Sequence, residues 1–213
     1  MRVWDAPTRL FHWALVILIG VSWLSESLGW MRLHFLSGYS VITLLLFRLA
    51  WGFVGSETAR FLHFLRSPLA ALRHLAQLPR REPDTEIGHN AAGGWMVLTM
   101  LALLAVQVAT GLCANDDANT EGPLFDYVGK DRSDWLSHIH AVNFTLIQIA
   151  VLAHVGAILT YAVVKRHDLV RPMITGRKQL PDAMTPPVLV SPVRALVLFV
   201  IAAGLVATAA SAL

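Results

Sequence analysis

Apolar and polar residues alternate along this chain in long blocks rather than at the short periods of a soluble domain. Four apolar runs, Pro7 to Leu24, His34 to Val54, Gly93 to Leu112 and Ser137 to Val164, are separated by polar or charged connections, and a fifth, Arg194 to Leu213, closes the sequence. Each is close to the roughly 20 residues that carry a helix across about 30 Å of hydrocarbon at about 1.5 Å per residue. The pattern predicts an all-α integral membrane bundle of four core transmembrane helices plus a fifth, C-terminal one. Asp5 is placed to cap the first helix, and Pro7 suits its first turn. The longest polar connection, Gly55 to Asn90, contains TARFLHFLRSPLAALRHLAQL, about residues 58–78. Its mixture of apolar and basic residues predicts an interfacial amphipathic helix interrupted at Pro68. A division follows: residues 1–178 as one membrane domain, residues 179–213 as a Pro-rich linker (Pro181 to Pro192) and the fifth span.

Composition agrees with membrane embedding: 55% of the 213 residues are hydrophobic, and the mean hydropathy is +0.57. The net charge of +3 would suit a nucleic-acid binder if the basic residues shared a polar face with aromatics, but they sit in the connections. Arginine and lysine gather before the first run, between the second and third, and between the fourth and fifth, whereas Ala114 to Trp135 is acidic. By the positive-inside rule the N-terminus is cytoplasmic, the amphipathic segment lies on the same side, and the C-terminus is periplasmic. MRVWDAPTRLFHW imitates a signal peptide, yet no small-residue cleavage site ends the run, so it reads as an uncleaved first span. The single cysteine, Cys113, excludes an internal disulfide, a four-cysteine cluster and a CxxCH haem attachment, and reads as a small hydrophobe at a helix end.

The chemistry lies in the histidines. His140 and His154 are 14 positions apart, so they share a helix face to within about 40° and stand about 21 Å apart along the axis. His138 points elsewhere, and His167 lies beyond the apolar run. Topology places His34 at the depth of His140 on the outer side, and His12 with His154 on the inner side. Metal-binding side chains at membrane depth are costly and read as functional. Zinc or copper would want further ligands at short spacing, and none is present. Two axial imidazoles per site instead suit a b-type haem, and a six-coordinate iron points to electron transfer. The competing reading gives these histidines to interhelical hydrogen bonds or a proton relay. Arg48 either snorkels or meets a haem propionate; Arg177 and Lys178 are candidates for the inner propionates. His89 either touches quinone or a propionate or is a capping histidine. His63 and His74 read as surface or headgroup contacts, and Gly93, Gly94 and Gly111 permit close approach of a helix or macrocycle.

Taken together, VWDAPTRLFHW, LHFLSGYSVITLLLFRLAWGFVGS, GHNAAGGWMVL, HIHAVNFTLIQIAVLAHV and LVRPMITGRK resemble the bacterial di-haem cytochrome b561 group and the related b-type cytochrome subunits of membrane hydrogenases and formate dehydrogenases. The resemblance runs from about Val3 to Lys178 and implies His12, His34, His140 and His154 as axial ligands of two haems b. It also implies a multi-pass protein of the bacterial inner membrane. Electrons would pass between ubiquinone or menaquinone and a periplasmic redox partner such as a c-type cytochrome; by its charge the acidic segment either docks a basic partner of that kind or is an ordinary solvated loop. Two alternatives stand beside it. One is a superoxide:quinone oxidoreductase, for which Lys130 and Arg132 are the basic candidates at the entry. The other is a haem-carrying anchor subunit of a larger dehydrogenase or hydrogenase complex. The fifth span is absent from the four-helix members of the group.

Overall fold

The computed structural model describes residues 1–118, 120–181 and 183–213; Asn119 of the acidic segment and Asp182 of the Pro-rich linker lie outside the described residues. Nine α-helices follow one another among the described residues: α1 (Ala6–Ser27), α2 (Met31–Val54), α3 (Phe61–Phe64), α4 (Pro68–Ala76), α5 (Ala91–Gly111), α6 (Phe125–Val128), α7 (Lys130–Thr160), α8 (Val170–Thr175) and α9 (Pro192–Ala212). Five of them, α1, α2, α5, α7 with its extension to Lys165, and α9, are long and apolar enough to cross a membrane. The protein is all-α, and the fifth apolar run is a helix of spanning length like the other four. At 31 residues, α7 is about 46 Å long and exceeds the hydrocarbon thickness. It begins at Lys130 rather than Ser137, because Lys130 ties its own first turn to Asp134 four residues on and to Asp117.

The chain forms two compact units, and each spanning helix contributes residues to both. The first comprises Met1–Phe11, Arg48–Thr99 and Ala150–Leu196. Asp5 is the cap expected of it: Thr8 N donates to Oδ1 at 2.7 Å, and the fully buried Trp51 donates its indole N–H to Oδ2 at 3.1 Å. The N-terminus pairs with the chain after α8 through Val3 N to Gly176 O (2.8 Å) and Lys178 N to Met1 O (2.9 Å). Gly176 adopts φ +78°, and a Cβ there would meet Trp4 O at 2.7 Å, so the turn needs glycine. Thr58 anchors the connection by donating to Val3 O at 2.8 Å. The Pro-rich linker is tied down as well: Val188 N donates to Glu57 Oε2 and Val190 N to Ser56 Oγ, both at 2.9 Å.

The amphipathic segment is interrupted where expected, α3 ending at Phe64, and Pro68 then opens α4, with Ser67 Oγ accepting from Ala70 N at 3.2 Å as the N-cap. Upstream, the Phe61 ring occupies the space beside Gly52, where a Cβ would fall 2.0 Å from a ring atom. His74 is no plain surface residue. Asn90 caps α5 by accepting from Gly93 N at 2.8 Å on Oδ1, which turns its amide nitrogen toward Tyr161 Oη, also at 2.8 Å. With that oxygen already accepting, the phenol proton is directed to His74 Nε2. Tyr161 opens a π-helical turn, Tyr161–Lys165, that ends α7, a geometry found often at functional positions.

The second unit comprises His12–Phe47, Met100–Ile149 and Val197–Leu213. Polar side chains cross-link its helices: the Ser22 and Ser37 hydroxyls are 2.7 Å apart, and Asn143 Nδ2 donates to Leu103 O at 2.9 Å and Gln107 Oε1 at 2.7 Å. Beyond α5, Ser133 donates to Cys113 O at 2.7 Å, and Asn115 N donates to Ser137 Oγ at 2.8 Å. Cys113 is half-buried, and burial pushes its thiol pKa up, as befits an inert small hydrophobe.

Two outcomes follow from these contacts. Gly52→Leu is expected to lower stability by about 1–3 kcal/mol through overpacking against Phe61, whereas Gly20→Ala, with nothing within 4 Å, is expected to be neutral or better; thermal unfolding followed by circular dichroism measures both. Burial pulls His74 below the usual histidine range; Glu86 raises it, Lys165 lowers it again and Glu82 raises it. A folded-state value below the unfolded one means the His74–Tyr161 contact is at full strength above about pH 6.5 and weakens as pH falls from there. Amide exchange in α4, corrected for intrinsic rate, is expected to quicken on acidification in the native chain and to lose that dependence in His74→Gln.

Candidate functional site

A polar group within a spanning helix must find its partner inside the protein. In the second unit, α2 and α7 bring His34 and His140 together with ring centres 6.3 Å apart and planes at 72°. His34 Nδ1 lies 2.9 Å from Ser22 O of α1, and His140 Nδ1 lies 2.9 Å from Gln107 O of α5 and 3.2 Å from Thr110 Oγ1. A carbonyl oxygen only accepts, so both Nδ1 atoms carry the proton and both Nε2 atoms keep a lone pair. Fixing one ring nitrogen by a backbone carbonyl is how proteins orient an imidazole that binds a metal through the other.

The spacing can be tested against a metal held between two imidazoles. Two metal–nitrogen bonds of about 2 Å, with about 1 Å from each nitrogen to its ring centre, put the ring centres about 6 Å apart. The observed 6.3 Å fits. Gly111 makes room for one ring, since a Cβ there would lie 2.8 Å from His140 Cε1. The orientation of Gln107 is also set, with Oε1 accepting from Asn143 and Nε2 lying 3.0 Å from His140 Nε2. In this conformation that amide occupies the lone pair a metal would take, so binding requires the Gln107 side chain to turn away. Among the described residues no group of three or more His, Cys, Asp or Glu could hold a metal ion. A pair of imidazoles would need a cofactor that brings its own equatorial ligands.

The other expected pair falls in different units: His12, on α1, belongs to the second, and His154, on α7, to the first. Each is half-buried, and His12 has its ring edge-on to Trp13 at 4.9 Å. Arg48 is only 2% exposed, so it does not snorkel. Its guanidinium lies over the Phe61 ring at 4.7 Å and feels the Asp5 charge, yet its Nη1, also buried, has no hydrogen-bond partner among the described residues. A buried, incompletely satisfied guanidinium is suited to an anionic group. Lys178 is already engaged, donating to Asp84 Oδ1 at 2.8 Å and Glu86 O at 2.7 Å. Arg177 is exposed and pairs through its backbone with Arg2. His89 packs between Trp4 (4.7 Å) and Phe64 (4.8 Å). Of the small residues, Gly111 admits the His140 ring and Gly94 admits Phe64, whose carbonyl oxygen a Cβ would meet at 2.8 Å.

Sequence reasoning passed over Ser22, Gln107, Thr110 and Asn143. Gln107 carried a usable signal, a polar amide in the middle of an apolar run; Ser22 acts through its backbone carbonyl, which any residue would supply.

Comparison with known proteins identifies a family. The sequence profile of the prokaryotic cytochrome b561 family matches residues 3–176. Curated relatives include a probable Ni/Fe-hydrogenase B-type cytochrome subunit of Bradyrhizobium diazoefficiens, 23% identical over 84% of this chain and 86% of the relative. Proteins described in the same words come from Rhodobacter capsulatus, 23% identical over 84% and 82%, and from Azotobacter vinelandii, 25% identical over 84% and 89%. No solved structure matches at the same stringency. The chain belongs to the prokaryotic cytochrome b561 family: it is a membrane b-type cytochrome, a haem b protein whose work is electron transfer.

Proposed function

We propose that the protein carries two haems b, one held by His34 and His140 and the other by His12 and His154, and that it moves electrons between membrane quinone and a periplasmic redox partner. The observation that carries this reading is the His34–His140 pair, with 6.3 Å between ring centres and each Nδ1 spent on a carbonyl. Haem iron supplies one-electron chemistry. The chain's own residues do the rest. Ser22 and Gln107 hold the imidazoles in the tautomer that leaves Nε2 unprotonated, and Gly111 gives the His140 ring its place. Two imidazoles on one iron would leave no coordination site for substrate, which favours electron transfer over chemistry at the metal. Arg48 supplies a buried positive charge for a propionate, in the unit that also contains His154. Arg177 remains a candidate for the same role, whereas Lys178 would have to leave Asp84 to play it. His89 is a candidate neighbour of quinone, whether ubiquinone or menaquinone.

The reading places the chain in the bacterial inner membrane with its N-terminus cytoplasmic and its C-terminus periplasmic, from the basic residues in the connections. The division into residues 1–178 and 179–213 is part of it, although the linker is hydrogen-bonded to Ser56 and Glu57. The second reading, a haem-carrying subunit of a hydrogenase or dehydrogenase complex, is favoured by the names of the curated relatives. It differs in the partner and keeps the same haem ligands. Superoxide oxidation is less favoured, because Lys130, a basic candidate for its entry, is committed to Asp117 and Asp134.

Haem content of the purified protein tests the ligand set. The native chain is expected to give two haems by pyridine haemochrome; His34→Ala, His140→Ala and Gly111→Leu are each expected to give one. A count of two in His140→Ala would overturn the assignment. Reduction of a basic c-type cytochrome is expected to slow as ionic strength rises if the acidic segment guides docking. A salt-independent rate, together with stable co-purification of a dehydrogenase, would transfer the partner role to the second reading.

A further inference from the structure

Beneath α4 the first unit holds a polar cavity of about 350 Å³ lined by Arg66, Arg73, His74, Gln77, Glu86 and His89. Glu86 is its one carboxylate among the described residues. Neither Arg66 nor Arg73 makes an ion pair or a side-chain hydrogen bond with the described residues, so two full positive charges face a cavity with one negative charge to offset them. The same segment shows large apolar side chains on its outside: Leu62 is 84% exposed and Leu72 63%, with Leu69 and Leu75 beside them. A segment of two short helices, α3 and α4, with bare leucines outward and with Arg73 on α4 and Arg66 in the link before it along a polar cavity, has the build of an element lying at the boundary between acyl chains and headgroups. Trp95, in the first turns of α5, donates its indole N–H to Arg66 O at 2.9 Å, and tryptophan is enriched at that same depth.

We propose that this cavity is a binding site for the phosphate of an anionic membrane phospholipid, with Arg66 and Arg73 as its cationic ligands and the exposed leucines of α3 and α4 packed against the acyl chains. The proposal does not depend on which histidines hold haem; His89, the proposed neighbour of quinone, lines the same cavity, and the lipid ligands are Arg66 and Arg73. An ammonium-bearing neutral lipid would bring its positive group to two arginines, whereas a phosphodiester with no compensating cation is complementary to them. Arginine also matches the geometry of phosphate oxygens through paired N–H donors. Glu86 acts against the site by repelling the anion.

Native mass spectrometry of the full chain, released from detergent containing equal phosphatidylglycerol and phosphatidylcholine, tests this. Phosphatidylglycerol is expected to be retained in preference, and Arg66→Gln with Arg73→Gln is expected to weaken retention roughly thirtyfold, about fivefold for each arginine. Glu86→Gln is expected to strengthen it. The double variant Arg32→Gln with Arg80→Gln makes the same change of charge on exposed residues outside the cavity and is expected to leave retention unchanged. An unaltered haem spectrum shows that each variant has folded, and Glu86→Gln supplies the opposite-sign test if the arginine variant does not. Equal retention of the two lipids would overturn the proposal, as would equal loss in the control variant. Displacement of lipid by inorganic phosphate would make the cavity a soluble-anion site, and displacement by an acidic peptide would make it a protein-docking site; either overturns it.

Discussion

Two hydrogen bonds from imidazole to backbone carbonyl, His34 to Ser22 and His140 to Gln107, are what the second unit turns on. Inside a membrane, a ring nitrogen with no partner would cost several kcal/mol, and water is not at hand to relieve it. A helix carbonyl can accept more than its own helical bond, and these two share that capacity between the imidazole and a hydroxyl of their own helix, Ser25 to Ser22 O at 3.0 Å and Thr110 to Gln107 O at 3.1 Å. The same bond decides which nitrogen is protonated, so the constraint that makes these histidines tolerable in lipid also leaves a metal-binding lone pair on the other nitrogen. On the haem reading proposed above, tolerance and ligation would come from one contact.

The first unit answers the same constraint for charge. Asp5 meets three demands: it caps α1, receives the indole of Trp51 and sets a negative charge within range of the buried Arg48. Arg48 is thereby held in place with donor capacity left over, in the manner of a binding group rather than a structural one. Around it the packing is close wherever glycine allows, with Phe61 over Gly52 and Phe64 against Gly94.

The spans were legible because about 20 apolar residues in a row have one common solution in lipid: all five runs became helices, four of them within a few residues of the expected ends and the fourth starting seven residues early, at Lys130. Asp5 was legible as a cap because a carboxylate two residues before a proline-started helix has an obvious task. Pro68 was legible as a break; that it also opens the next helix rested on Ser67, whose hydroxyl accepts from Ala70 N. The early start of α7 depended on Lys130 pairing with Asp134 and Asp117, a contact between residues that periodicity does not weigh. The facing of His34 and His140 was readable from depth and helix face. What holds each ring was not, because carbonyl oxygens carry no residue identity. Nor was Tyr161, whose role rests on a π-helical turn and on Asn90, a residue remote in sequence.

The account stands on imidazole pairs as the axial ligands of haem b in this membrane protein. Near-infrared magnetic circular dichroism of the oxidised, purified chain tests that most directly. The account predicts low-spin ferric charge-transfer bands of bis-imidazole ligation for all of the bound haem; high-spin bands, or the bands of a sulfur ligand, would contradict it.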